Sequence, residues 1–122
     1  MQKSIFAALK SAPVHKSGDA GVFEFQFGAD DLTFAGHFPG RPILPGIFQM
    51  EMARVAAEIF LDCPLAMGEI RKAKFQRPIL PDEIVRMELK LSENSGAIEA
   101  RAAFSVDGQT AGETILFLCR RK

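Results

Sequence analysis

Apolar and polar residues alternate from Gly21 to Gly28, with Phe23, Phe25 and Phe27 on one face and Val22, Glu24 and Gln26 on the other. A period of two places every second side chain on one side of an extended chain, so this segment is predicted to be a strand whose phenylalanines pack into a core. The period returns in the second half of the chain. Val85, Met87, Leu89 and Leu91 alternate with Arg86, Glu88 and Lys90, and Ile98, Ala100, Ala102 and Phe104 alternate with Glu99, Arg101 and Ala103. Asn94, Ser95 and Gly96 connect those two strands, and Asp107-Gly108 signals a tight hairpin into a last one. Thr114 to Leu118 is apolar on both faces, which predicts a strand inside the sheet or one covered by a partner chain. Met67 to Phe75 supplies another strand, shut off by Arg77, Pro78 and Pro81.

One segment reads differently. Ile47 to Leu61 is rich in Ala, Met, Ile and Phe without internal Gly or Pro, so it is predicted to be a long helix, with Pro45 near its first turn and Asp62, Cys63 and Pro64 ending it. Its apolar residues cover most of the circumference and require burial on several sides. A curved antiparallel sheet wrapped around one long central helix meets that requirement, an α+β architecture of the hot-dog type. A short amphipathic helix is expected at Ile5, Phe6, Ala8 and Leu9, broken by Ser11, Ala12 and Pro13. Without internal repeats or linkers, residues 1–122 read as a single domain.

Composition narrows the function. Of the 122 residues, 48% are hydrophobic, enough for a core that needs no disulfide or metal to hold it. Fifteen basic residues balance fifteen acidic ones, which argues against partners such as nucleic acid or an anionic membrane. Cys63 and Cys119 have no CxxC spacing and form no ligand cluster with His15 and His37, so neither a metal nor another cofactor is expected. Met1 to Lys10 is too short an apolar stretch for a signal peptide or a membrane span, and a cytoplasmic protein with reduced thiols is expected.

Candidate chemistry is concentrated between Gly36 and Glu51. Gly36, Pro39, Gly40, Pro42, Pro45 and Gly46 exclude regular structure before the helix and make a shaped loop. His37 sits in that loop, where stiff neighbours present an imidazole that titrates near neutral pH as a general base. Gly46, at the helix start, has a backbone N–H with no intrahelical acceptor and no side chain in front of it, suited to polarising a carbonyl. Glu51 is an acid on an apolar helix, and burial would keep it protonated and ready to donate. Simpler readings exist for each. A histidine in such a loop is often structural, and Glu51, Arg54, Glu58 and Asp62 share one narrow stripe that an exposed i, i+3 ion pair explains.

The run from Gly36 to Glu51 resembles the signature of the hot-dog-fold 3-hydroxyacyl-acyl carrier protein dehydratases of the FabA/FabZ type: a GHFPG loop, a PG helix start, then an acid. Lys74 to Pro81, read as KFQRPILP, resembles the same family's KFRRPVxPG strand end. Glu51, where the FabA branch has aspartate, points toward the FabZ-like branch. The resemblance implies dehydration of a 3-hydroxyacyl thioester on acyl carrier protein to the trans-2-enoyl thioester, in fatty-acid, polyketide-like or aryl polyene assembly. By that resemblance His37 takes the α-proton, Glu51 protonates the departing hydroxyl and Gly46 holds the thioester carbonyl, while Gly36, Phe38, Pro39, Gly40 and Pro45 shape the loop. It also implies a homodimer with two shared sites, free to assemble further. The chain departs from the family pattern at Met52, at Val55, where a glutamine is usual, and at Asp82, where a glycine is usual. Two alternatives stand beside this reading: a hot-dog acyl thioesterase, and a non-catalytic acyl-binding or partner subunit. Arg41, Arg71, Lys72, Lys74 and Arg77, or Arg120, Arg121 and Lys122, would form the basic rim that an acidic carrier protein calls for, unless they are simply a solvated strand edge and a charged tail.

Overall fold

The computed structural model describes residues 5, 8–28, 44 and 46–121, with backbone alone at residues 10–17 and 94. Among these residues, six strands and a long helix follow in the order β1 (Leu9–Ser17), β2 (Ala20–Gln26), α1 (Gly46–Leu61), β3 (Leu65–Phe75), β4 (Ile84–Asn94), β5 (Ala97–Val106) and β6 (Gln109–Arg120). They form one sheet in the order β1-β2-β4-β5-β6-β3, and every neighbouring pair is antiparallel.

The turn chemistry read from the sequence sets the hairpins. Ser95-Gly96 and Asp107-Gly108 both have positive φ at their two central positions, the conformation that matches the twist of the strands they join. Thr114 to Leu118 belongs to β6, which lies between β5 and β3. Its two-sided apolar character therefore reflects an interior place in the sheet.

Helix α1 packs against β3, β4, β5 and β6. Met52, Ala53, Val55, Ala56 and Ala57 are fully buried in a core with Phe23, Phe25, Met87, Phe104 and Leu116. Small alanines let the helix approach the sheet closely while the sheet's phenylalanines fill the space between. The helix ends as its sequence predicts. Asp62 takes a left-handed φ of 53°, and the Cys63 N–H donates back to the Glu58 carbonyl at 3.3 Å, closing a Schellman-type cap.

The amino-terminal region corrects the sequence reading. Ile5 and Ala8 are helical and buried, but Leu9, expected in the helix, begins strand β1, which runs on through Ser11, Ala12 and Pro13, the residues expected to break the helix. The β1–β2 pairing shifts register between Leu9 and Ser11 and again between Ser11 and His15, so strict alternation is lost. Pro13 is accommodated because β1 is an edge strand.

Candidate active site

The described part of the first motif, Leu44 and the helix start, meets the second motif in space. The buried Leu44 donates its N–H to the Ile79 carbonyl at 2.8 Å, tying the chain before α1 to the segment after β3. Phe75, the last residue of β3, lays its ring over the helix start: a Cβ placed on Gly46 would lie 2.5 Å from that ring. Gly46 is thus needed for close approach, and its N–H belongs to the first helical turn, where no intrahelical acceptor exists. His37, Gly36, Phe38, Pro39, Gly40 and Pro45 lie outside the described residues.

Glu51 sits about 7.5 Å along the helix axis from Gly46, at 1.5 Å per residue. Burial alone does not define its surroundings. Arg54 donates from Nε to both Glu51 carboxylate oxygens at 3.0 Å and from Nη2 to Oε2 at 2.7 Å. Its remaining amino group, Nη1, reaches Glu58 Oε2 at 3.0 Å and the Leu65 carbonyl at 3.1 Å. Glu58 in turn accepts the Leu65 N–H at 2.7 Å, and Arg121 approaches it at 3.7 Å. Hydrogen bonding to Glu51, reinforced by the charges of Glu51 and Glu58, holds the Arg54 guanidinium more firmly protonated than a free arginine, against the cost of its burial.

The i, i+3 pair foreseen for this stripe is therefore present, but not on an exposed face. Arg54 is only 7% exposed and is anchored to β3 as well as to its own helix. Spacing along one helix signals the Glu51 and Glu58 contacts. Nothing local signals the Leu65 carbonyl or the Phe75 ring, which tertiary packing brings in. Val55, at the place of the family's glutamine, is fully buried and apolar, and Gln49, two residues before Glu51, is buried with Oε1 lacking a hydrogen-bond partner among the described residues.

The predicted basic rim is largely neutralised. Lys72 pairs with Glu113, Arg71 with Glu69, Arg77 with Glu83 and Arg120 with Glu93. Arg71 also lies over the Phe117 ring, 5.3 Å from its centre. Arg41 and Lys122 lie outside the described residues. A surface cleft of about 430 Å³ lined by Val22, Lys90, Arg101, Ala103 and Ile115 contains neither Gly46 nor Glu51. Among the described residues, no three His, Cys, Asp or Glu side chains come together in a way that could hold a metal, and no helix is long and apolar enough to cross a membrane.

Comparison with known proteins agrees with the motifs. A family model described as ApeI-like, the ApeI dehydratase, matches residues 14–114. A 3-hydroxyacyl-[acyl-carrier-protein] dehydratase FabZ of Granulibacter bethesdensis is 33% identical over 106 residues, 79% of this chain and 62% of that protein. The FabZ of Pelotomaculum thermopropionicum is 35% identical over 101 residues, 76% of this chain and 72% of that one. The chain thus spans about two thirds of the length of these relatives. Among solved structures, the dehydratase heterocomplex ApeI:P from Xenorhabdus doucetiae superposes with a TM-score of 0.75 at 25% identity, covering 91% of this chain and 99% of that one. By its residues, its topology and these matches, the chain belongs to the ApeI-like dehydratase family.

Proposed function

We propose that the protein is a hydro-lyase that removes water from a 3-hydroxyacyl thioester carried on acyl carrier protein and leaves the trans-2-enoyl thioester. The observation that carries this reading is the amino-terminal end of α1, where a first-turn N–H at Gly46 and the carboxyl of Glu51 lie on one helix, a few residues after the GHFPG motif in sequence. The α-hydrogen of a thioester becomes acidic only as its charge passes to the carbonyl oxygen. The Gly46 N–H, at the positive end of a 16-residue helix, receives that charge. His37 takes the α-proton as general base. Hydroxide is a poor leaving group, so Glu51 gives its proton to the β-oxygen as the C–O bond breaks, and water departs as the double bond forms. Glu51 ends the step ionised and His37 protonated, and exchange with solvent restores both.

A homodimer with two shared sites follows from the same reading. Among the described residues β3 ends the sheet, leaving one side of an 11-residue strand unpaired. Ile70 and Phe75 on this strand and Ile47 in the first turn of α1 are 47%, 44% and 51% exposed. Apolar side chains beside a long open edge are what a second copy would cover. The reading places the enzyme in the cytoplasm, whose reducing medium suits the unpaired Cys63 and Cys119.

Incubation of the purified protein with 3-hydroxyacyl thioesters of short, long and aromatic chains tests the proposal. Enoyl absorbance is expected to rise, and to be lost in both His37→Ala and Glu51→Gln. Release of free thiol without enoyl product would select a thioesterase instead, and binding without turnover a non-catalytic subunit.

A further inference from the structure

We infer that Arg54 is a positioning residue for the elimination: it fixes the Glu51 carboxyl in one orientation and receives the charge that forms there as the proton leaves. This rests on the role proposed for Glu51. A carboxyl on a helix surface ordinarily samples several rotamers, and a donor that must meet one oxygen of a bound substrate loses rate with each of them. Glu51 has three hydrogen bonds from one guanidinium, two of them through Nε, so the side chain is held at both oxygens.

The guanidinium is itself held from outside the helix. Nη1 is committed to the Leu65 carbonyl at the start of β3 and to Glu58, and Glu58 is fastened by the Leu65 N–H. Three charged groups besides Glu51 meet here: Arg54 and Glu58 on α1, and Arg121, which follows β6. The ion pair in the structure is the form Glu51 takes once it has given up its proton, and a solvent proton returns to the carboxyl before each turnover. During the step the Glu51 O–H bond breaks, the proton passes to the β-oxygen, the C–O bond breaks and water leaves. Negative charge thus appears on a carboxylate already facing a fixed cation. Buried Val55 offers Glu51 no hydrogen bond, so the support comes from the position before it.

Kinetics of Arg54→Met and Arg54→Lys test the role, with Ile98→Val as a stability control beside Phe60 and Leu61 at the other end of the helix. Wild type and Glu51→Gln are measured alongside. Arg54→Met is expected to lower kcat by about 10- to 100-fold with KM within about twofold, the pattern of lost orientation and charge stabilisation. Arg54→Lys, which keeps the charge without the planar fork, should recover part of that loss. A destabilised but correctly oriented enzyme, as in Ile98→Val, should keep its kcat at a temperature where it is folded. The inference is overturned if folded Arg54→Met retains kcat within about twofold of wild type, or if KM rises while kcat holds. Should Arg54→Met fail to fold, Arg54→Lys decides: a fall in kcat beyond about threefold at constant KM supports the role, and a smaller change overturns it. An inactive wild type or an active Glu51→Gln would instead refute the reading of Glu51, which separates the two failures.

Discussion

Gly112→Ala should destabilise the fold, chiefly through a steric contact with the backbone of the neighbouring strand. Gly112 in β6 pairs with Phe75 in β3, and a Cβ at Gly112 would lie 2.6 Å from the Lys74 carbonyl oxygen and 3.2 Å from Gln49 Oε1. Carbon–oxygen contacts settle at about 3.3 Å or more, so β3 and β6 would have to separate by roughly 0.7 Å. The obstacle is backbone and cannot rotate away. Overpacking of this kind costs about 1–3 kcal/mol, against which the loss of glycine's unfolded-state freedom returns about 0.5–1 kcal/mol. A net loss of about 1–2 kcal/mol is expected, which for a chain of this size lowers the thermal midpoint by roughly 3–8 °C. Because β3 ends in the ring that covers Gly46, catalytic rate should fall as well. The assay is thermal and urea denaturation of Gly112→Ala beside Gly28→Ala, where a Cβ meets nothing within 4 Å among the described residues and φ is ordinary. Gly28→Ala should be neutral or slightly stabilising. Equal midpoints for the two variants would refute the account of β3–β6 packing.

Other outcomes follow from single features. Asp82 has a φ of 66°, and its backbone, which donates to the Phe27 carbonyl and accepts from Gln26, is what the turn uses, so Asp82→Gly should preserve or raise the midpoint while Asp82→Val lowers it by about 1–2 kcal/mol of stability. Arg77 grips Glu83 with two parallel hydrogen bonds that, with the Leu80 N–H, hold the Glu83 carboxyl below the usual carboxylate range. That stability is present above the unfolded-state carboxylate pKa and is lost as pH falls through the lower folded value, so Glu83→Gln should lower the midpoint at pH 7 and converge on wild type in acid. Phe104→Ala, at a fully buried ring, should cost about 3–5 kcal/mol in urea denaturation.

Legibility in the sequence followed the range of the interaction. The Phe23, Phe25 and Phe27 ladder, the Ser95-Gly96 and Asp107-Gly108 turns and the helix cap at Asp62 depend on residues within one or two turns of each other, and all stand where their local chemistry places them. Strand β1 was illegible because two register shifts break its alternation and Pro13 mimics a terminator. The Glu51–Arg54 pair was readable as a spacing, but its burial depends on Leu65, which lies in the following strand. Phe75 and Gly46 are 29 positions apart, and only the folded sheet brings the ring onto the helix start. Asp82 stands where the family has glycine, and its positive φ explains why glycine is usual there.

The shared site is tested most directly by mixing two variants that are each inactive, His37→Ala and Glu51→Gln, under conditions that allow subunits to exchange. If imidazole and carboxyl come from opposite copies, half of the sites in each mixed dimer regain both groups, and enoyl formation should recover to about a quarter of the wild-type rate at equal total protein. Confirmed subunit exchange with no recovery would contradict a site built from two copies, and full activity in either parent variant would contradict the elimination itself.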